Sequence, residues 1–523
     1  MGRPSEEESI AMALNMSMIL EESARSGPGK TALVLGERRM SFAELDGAAD
    51  RFAGALGSLR VEPGDKVAVM VPNIPQFIIA YYGILKAGAV VVPLNVLLRA
   101  PEITYHLDDS DAVAMVAWEG FLQDACGGFG GAQRCRELIV VESLGEKAPE
   151  DARSFDGLLE EHPPQFDLVQ TMPNDTAVVI YTSGTTGRPK GAELTHFNML
   201  FNALCNADKL LEVREDDVGI AVLPLFHIFG QTCVMNTSIY RGNTVAMVPR
   251  FEPGAALDAI QSAGVTIFTG VPTMYQYLLR HPNLDDYDVS SLRVGVSGGA
   301  SMPVEVLRAF EERFGIVILE GYGLSETSPT ACFNRSAEER KVGSIGLPIW
   351  GTEARVVDRE DNEVPRGERG ELVLRGHHVM KGYYGNPEAT AEAMRGGWFH
   401  TGDVATMDED GYIFIVDRVK DMIVRGGYNV YPREVEEVLY QHPAVAEAAV
   451  IGVPHEELGE EVVATVVLKD GASATEEELI AFTKERVARY KYPRRIFFMD
   501  ELPKTATGKI LKRKLAGTAR EAV

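Results

Sequence analysis

Cysteine is scarce in this chain and dispersed: five residues in 523, Cys126, Cys135, Cys205, Cys233 and Cys332, with no C-x-x-C pair among them. That spacing argues against a disulfide framework or a zinc site and fits a reducing compartment, so a cytoplasmic protein is expected. Positive charge is in deficit. Lys and Arg number 51 against 76 Asp and Glu, a formal net charge of −25. So acidic a surface repels nucleic acid and anionic lipid and leaves neither as a main partner. Long apolar runs are missing too. The nearest candidate, IPQFIIAYYGILKAGAVVVPLNVLL, is broken by Pro75, Lys86 and Pro93 and reads as a helix followed by a buried strand instead of a membrane span. The N-terminal MGRPSEEESIAMALNMSM carries a Glu run where a signal peptide would carry basic residues. Repeats and low-complexity tracts are absent. What is present, 45% hydrophobic and 24% charged residues, is the composition of an ordinary globular protein long enough for several domains or subdomains.

KVAVM (66–70), AVVVP (89–93) and AVAMVA (112–117) are short apolar runs suited to buried strands. Between them lie a helix from Pro75 to about Ala87, with Asn73 as its expected cap, and a second helix over APEITYHLDDS (100–110). The same rhythm returns across 177–340, where GVTIFTGVP and LRVGVSGGA each precede a helix. Such alternation predicts an α/β fold with largely parallel sheets covered on both faces. After Gly346 the texture changes. EARVVDREDNEVPRGERGELVLRG and MDEDGYIFIVDR are short β-like runs joined by charged turns, with Asp410-Gly411 marking a hairpin, and they predict an antiparallel sheet or small barrel. Beyond Arg418, PREVEEVLYQHP (helix), AVAEAAVIGVP and EVVATVVLKD (strands) and EEELIAFTKERVARY (helix) form a compact α+β unit. The expected division is a large domain over residues 1–419 and a small C-terminal domain over 420–523.

Directly after the strand-like AVVIY comes TSGTTGRPKGAEL, with a helix expected to start near Thr195. An ordinary solvent loop has this composition. So has a cradle in which glycines let successive N–H groups face an anion, hydroxyls add donors and a lysine adds a mobile charge. Its place right after a strand favours the cradle. The pattern G-x-x-x-x-G-K-[ST] is not met, because Pro189 precedes Lys190, so this is not a P-loop. Other strings raise similar alternatives. GYGLSET (321–327) sits at a strand end, where open α/β sheets bind ligands, yet Glu326 alone fits a solvated loop and Tyr322 a core residue. SGGAS (297–301) precedes a helix that Ser301 is placed to cap, and a tight turn would explain its glycines. His227 in PLFHIFG fits a satisfied core histidine as well as a ligand-facing one. Arg418 has Asp417 and Asp421 nearby for a local ion pair, and PKTATGKILKRKL fits a solvated helix end.

T-S-G-T-T-G-x-P-K-G resembles the signature loop of the adenylate-forming enzymes: acyl-CoA synthetases, firefly luciferases and peptide-synthetase adenylation domains. The other strings follow in that family's order, and the resemblance covers nearly the whole chain, from FAELDGAADRFAGAL to Lys509. It implies an acyl-CoA synthetase that takes ATP, Mg2+, coenzyme A and a carboxylic acid. It also implies that Thr182, Ser183, Gly184, Thr185, Thr186, Gly187 and Lys190 hold the ATP phosphates, and that Gly298, Gly299 and Ala300 line the adenine and acyl pocket. Glu320, Gly321, Tyr322, Gly323 and Ser325 would lie along the nucleotide, with Tyr322 stacked on adenine, and Glu326 with Thr186 would bind the metal. By the same likeness Asp403 of WFHTGD accepts the ribose hydroxyls, Arg418 contacts ribose or phosphates, and His227 stands at the acyl site beside Gly298, Gly321 and Gly323. Lys509 of T-x-x-G-K would stabilise attack of the carboxylate on the α-phosphate. Lys420 would be the hinge of a rotating C-terminal domain, and Gly426 and Gly427 would line the coenzyme A tunnel.

The strings around the implied pocket are apolar or small and put no Lys or Arg beside His227, which disfavours a dicarboxylate, since a buried unpaired charge is costly. A medium- or long-chain fatty acid is the expected substrate. An aryl acid such as coumarate or benzoate is the alternative, as is an enzyme loading a carrier protein, although no carrier domain follows in this chain. The basic run KERVARYKYPRR (484–495) is either solvated or draws in the phosphates of coenzyme A. No membrane span is expected, and the protein is expected to act as a monomer or homodimer.

Overall fold

The apolar runs of the first half become strands buried on both faces, the environment a parallel sheet requires. The computed structural model describes residues 13–142, 149, 151–182, 188–418, 421–455, 457–506 and 508–515. Lys66–Met70, Val90–Pro93, Ala112–Trp118, Glu137–Val141 and Thr176–Thr182 run parallel in an eight-stranded sheet. Val218–Ala221, Thr244–Met247, Ile267–Gly270, Val294–Ser297 and Val317–Gly323 run parallel in a nine-stranded sheet that gains antiparallel strands at both ends. One apolar core joins the two, holding Val91 and Ile180 of the first sheet with Ala221 and Val245 of the second. The helix Pro75–Lys86 buries Phe77, Tyr81 and Tyr82 in that core. Its last residue is a fully buried lysine: Lys86 Nζ lies 2.6 Å from Asp46, 2.5 Å from Asp50 and 3.7 Å from Glu21.

Three local expectations give way to tertiary structure. Asn73 does not cap Pro75–Lys86; Ile74 holds that position. The Asn73 amide instead donates to the carbonyls of Ala221 and Leu223, each at 2.8 Å, and accepts from the Leu225 N–H at 2.8 Å. Three bonds to the other sheet outweigh one local cap. Ser301 does not cap the helix after SGGAS either, because that helix is Val304–Phe314 and Pro303 occupies its cap position. A proline disfavours helical backbone in the residue before it, so the helix cannot begin early enough for Ser301 to reach it. Nor does TSGTTGRPKGAEL run straight into a helix. Lys190–Thr195 turns back antiparallel to Thr176–Thr182, with Lys190 opposite Thr182. The helix His196–Cys205 follows, capped by Thr195 in a capping box with Asn198. The glycine-rich segment therefore connects two antiparallel strands. Ser183, Gly184, Thr185, Thr186 and Gly187 lie outside the described residues, as does the expected hinge Lys420.

The charged, turn-rich region after Gly346 forms an antiparallel sheet of Thr352–Val357, Gly370–Gly376, Phe399–Met407 and Ile413–Arg418. Asp408 makes the last turn, its Oδ1 accepting from the N–H groups of Asp410 at 3.0 Å and Tyr412 at 2.9 Å. The C-terminal residues build a sheet of their own from Ile423–Arg425, Tyr428–Val430, Val445–His455, Gly459–Leu468 and Arg495–Phe498. The helices Pro432–Tyr440 and Glu476–Lys484 cover it, with Val435, Leu439, Val450 and Leu479 in a separate apolar cluster. Among the described residues no helix is long and apolar enough to cross a membrane.

Candidate active site

A cavity of about 1140 Å³ opens where the carboxyl ends of both large sheets meet the antiparallel sheet and the C-terminal unit. The first sheet brings Thr182, Arg188 and Lys190; the second brings His227, Gly298, Gly299, Gly321, Tyr322 and Gly323, then Ser325 and Glu326 just past the strand. Arg418 comes from the antiparallel sheet, and Thr505, Ala506 and Lys509 from the C-terminal unit. Residues separated by more than three hundred positions thus share one space. Clefts at strand carboxyl ends are where open α/β sheets bind ligands, because the loops there are free to vary while the sheet holds them in place.

Asp403 and Arg418 face each other across adjacent antiparallel strands. Arg418 Nε lies 3.1 Å from Asp403 Oδ1, and Tyr322 Oη donates to Asp403 Oδ2 at 2.5 Å. The Arg418 guanidinium thus has Asp403 as its ion-pair partner, with the Asp421 charge acting on it as well. Burial, then the Asp403 charge, pushes the Tyr322 phenol well above its ordinary range and keeps it a donor. Burial alone would lower the Arg418 guanidinium, but Asp403 and its other acidic neighbours hold it above the usual value. Tyr322 and Arg418 stand on one wall of the cavity, and Asp403 behind them ties the two together and balances the guanidinium charge.

Glu326 accepts from Tyr383 Oη at 2.9 Å, and Lys190 Nζ stands 5.2 Å from the Tyr383 ring. Tyr383, from the string KGYYGNP, had no distinguishing mark in the sequence, yet it links the loop lysine to the carboxylate. Tyr105 is a second residue the sequence did not single out. Its hydroxyl donates to the Pro189 carbonyl at 2.8 Å, next to Lys190, and its ring carries Arg188 at 5.9 Å. Both are tyrosines on elements remote in sequence, and only their contacts reveal them.

His227 is pushed down to about 4, first by burial and then by the Lys509 charge, so its imidazole is neutral near pH 7. Its Nδ1 accepts from the Phe229 N–H at 3.2 Å, which leaves the proton on Nε2 in the assigned tautomer. Lys509 is thus a cation within reach of His227, supplied by the C-terminal unit. Beside them, a Cβ placed on Gly298 would stand 3.1 Å from Cζ of Phe229 and 3.3 Å from the Gly321 carbonyl. Glycine at 298 keeps that wall open.

Other expected site residues stand elsewhere. Asp403 is buried behind the wall and Ala300 is exposed beyond its rim. Glu320 turns away, its Oε2 accepting from the Gly343 N–H at 3.2 Å, and burial pushes its carboxyl up to about 7. Gly426 and Gly427 have φ of +57° and +82° and form the turn of the hairpin between Ile423–Arg425 and Tyr428–Val430, outside the cavity wall. That backbone is one glycine adopts without strain.

The AMP-binding enzyme family matches residues 20–384, and the AMP-binding enzyme C-terminal domain matches 434–509. The chain belongs to this family. Within the AMP-binding enzymes it is 40% identical over 531 residues to a long-chain-fatty-acid–CoA ligase of Bacillus subtilis, covering 96% of this chain and 94% of that one. It is also 40% identical over 490 residues to a feruloyl-CoA synthase of an Amycolatopsis species, covering 94% of this chain and 96% of that one. Among solved structures, the anthranilate CoA ligase AuaEII in complex with anthranoyl-AMP superposes with a TM-score of 0.92 at 32% identity, over 99% of each chain.

Proposed function

We propose that the chain is an AMP-forming acid–thiol ligase, which joins a carboxylic acid to ATP as acyl-AMP, expels pyrophosphate and passes the acyl group to coenzyme A. The observation that carries this reading is the convergence of Lys509 and His227 on the cavity that also holds Lys190, Tyr322 and Arg418. A carboxylate is a poor acylating agent because oxide would have to leave; as a mixed anhydride with AMP it has a good leaving group. Attack of one anion on another needs its charge offset. The Lys509 ammonium does this where the carboxylate meets the α-phosphate, and the neutral His227 offers an Nε2–H to the same carboxylate. Lys190 and the flanking glycine-rich segment take the outer phosphates, and the Tyr322–Asp403–Arg418 unit fixes the nucleoside. Both Asp403 oxygens already accept a proton donor or face a cation, so ribose hydroxyls would share them.

Glu326 fits a magnesium site. Its Oε1 accepts from Tyr383 Oη at 2.9 Å, and Mg2+ commonly takes one or two protein carboxylates and fills its shell with phosphate oxygens and water. Bound there, the ion would neutralise phosphate charge. Among the described residues no cluster of three or more His, Cys, Asp or Glu forms a cage of its own. Lys509 occupies the cleft beside His227, so the thiol of coenzyme A needs the C-terminal domain (420–523) to turn about Lys420. That turn withdraws Lys509 and brings the Gly426–Gly427 hairpin to the cavity.

The cavity lining also includes Leu211, Leu223, Phe229, Cys233, Val296 and Phe333, with Asn206, Ser297 and Thr330 as polar members, and its apolar part suits a medium- or long-chain fatty acid. An aryl acid is the second reading, favoured by the equal 40% identity to the feruloyl-CoA synthase. Pyrophosphate release measured over fatty and aryl acids, with and without coenzyme A, tests both. Release with decanoate or palmitate above ferulate or benzoate supports the first reading, the opposite order the second, and silence with every acid refutes the ligase.

A further inference from the structure

The helix Pro272–Leu279 begins one residue after Val271, which lines the cavity. Two of its side chains, Thr273 and Tyr277, lie four positions apart on one helical face, and each meets the C-terminal unit. Thr273 Oγ1 donates to the Gly508 carbonyl at 3.2 Å, directly before Lys509. Tyr277 Oη accepts from Lys504 Nζ at 2.7 Å. We propose that this face is the dock that seats Lys509 for acyl-adenylate formation, with Thr273 and Tyr277 as its positioning residues.

The seam is built to part without harm. Lys504 is nearly buried and also pairs within its own unit, 2.9 Å from Glu447. Withdrawal of the unit therefore removes the tyrosine from the ammonium but does not strand a buried charge. On the other side, the Tyr277 ring stays packed near Phe251, with centroids 6.4 Å apart. The contacts of Thr273 and Tyr277 are polar, as in interfaces between domains that move relative to each other. The fit beside Lys509 is close. Gly508 has φ +79°, and a Cβ there would stand 2.8 Å from Thr273 Oγ1 and 3.0 Å from Val271 Cγ2. The lysine is thus aimed by a residue that admits no side chain.

This inference rests on the two-step reaction and on the role given to Lys509. It is tested by separating the half-reactions in the full-length enzyme with the variants Tyr277→Phe and Thr273→Val. Tyr277→Phe keeps the ring and loses the hydroxyl that accepts from Lys504 and donates to Glu501 Oε1 at 3.4 Å; Thr273→Val keeps the branched shape and loses the bond to the Gly508 carbonyl. Single-turnover pyrophosphate release is expected to fall about tenfold in Tyr277→Phe, whose hydroxyl bonds a charged ammonium, and about fivefold in Thr273→Val, whose bond is to a neutral carbonyl. Thioester formation from supplied acyl-adenylate and coenzyme A, and the midpoint of thermal unfolding, should stay at the level of the parent enzyme. Equal loss in both half-reactions, or loss in neither, overturns the dock. Lys509→Ala measured alongside keeps the two ideas apart. Should it retain full pyrophosphate release, the role of the lysine is refuted; should it lose release while Tyr277→Phe keeps it, only the dock is.

Discussion

At the scale of single residues, two buried charges make the sharpest predictions. Asp403 holds the Arg418 guanidinium and the Tyr322 hydroxyl together. Asp403→Asn keeps the shape but removes the charge that balances Arg418. Breaking a buried pair from one side costs about 3–5 kcal/mol, and part of that loss falls on the nucleoside wall. KM for ATP should rise at least tenfold, together with a lower unfolding midpoint, read by steady-state kinetics and by thermal denaturation. An unchanged KM would remove Asp403 from the nucleotide site. Lys86 predicts a purely structural effect. It is 1% exposed and is the shared partner of Asp46 and Asp50. Lys86→Met leaves these carboxylates facing each other without a cation and should destabilise the fold by about 3–5 kcal/mol, measured by urea unfolding, with the KM values of the surviving folded enzyme unaltered.

At the scale of elements, the segment before the helix Pro75–Lys86 is the clearest case of a local rule overridden. Asn73 has the identity and position of a cap, yet its amide clamps the chain over Ala221–Leu225, a short path from His227. Asn73→Ala leaves the Leu223 carbonyl and the Leu225 N–H without their partner, each worth about 1–3 kcal/mol, while the Ala221 carbonyl keeps the Val248 N–H at 3.2 Å. Stability should fall, and KM for the acid should shift more than KM for ATP, because the displaced loop carries Phe226 and His227 and not the nucleoside wall. Equal shifts would show that the clamp supports the whole cleft. The order and type of most elements were legible in the sequence: Lys66–Met70 and Ala100–Asp109 fall where the periodicity puts them. The strand Lys190–Thr195 was not, since its residues follow a glycine-rich loop and gain their conformation only by pairing with Thr176–Thr182 and Gly382–Tyr383.

At the scale of the molecule, burial sets the response to acid. His196 and His227 are pushed down to about 4 and His378 to about 3, in each case chiefly by burial. Unfolded, a histidine titrates near 6.5, so between that pH and 4 the unfolded chain binds more protons. The stabilisation is complete above pH 6.5 and is lost as pH falls. Glu320 acts in the opposite sense. Its carboxyl is pushed up to about 7 by burial, so its contribution is present at low pH and disappears as pH rises from about 4.5 through 7. His378→Gln should therefore flatten the decline of the urea midpoint between pH 6.5 and 4 relative to the parent, and parallel curves would refute the assignment. On this same scale the division of labour between sequence and structure becomes visible. By itself the sequence determined the alternating α/β architecture, the acidic surface and the order of the nucleotide-linked strings, because periodicity, charge and backbone-permissive residues act locally. The pairing of Arg418 with Asp403, the link from Lys190 through Tyr383 to Glu326, and the seating of Lys509 against His227 were decided only by tertiary structure. Each depends on which strand ends and which lobe meet across the cavity, and distance in space is a property that spacing along a chain does not encode.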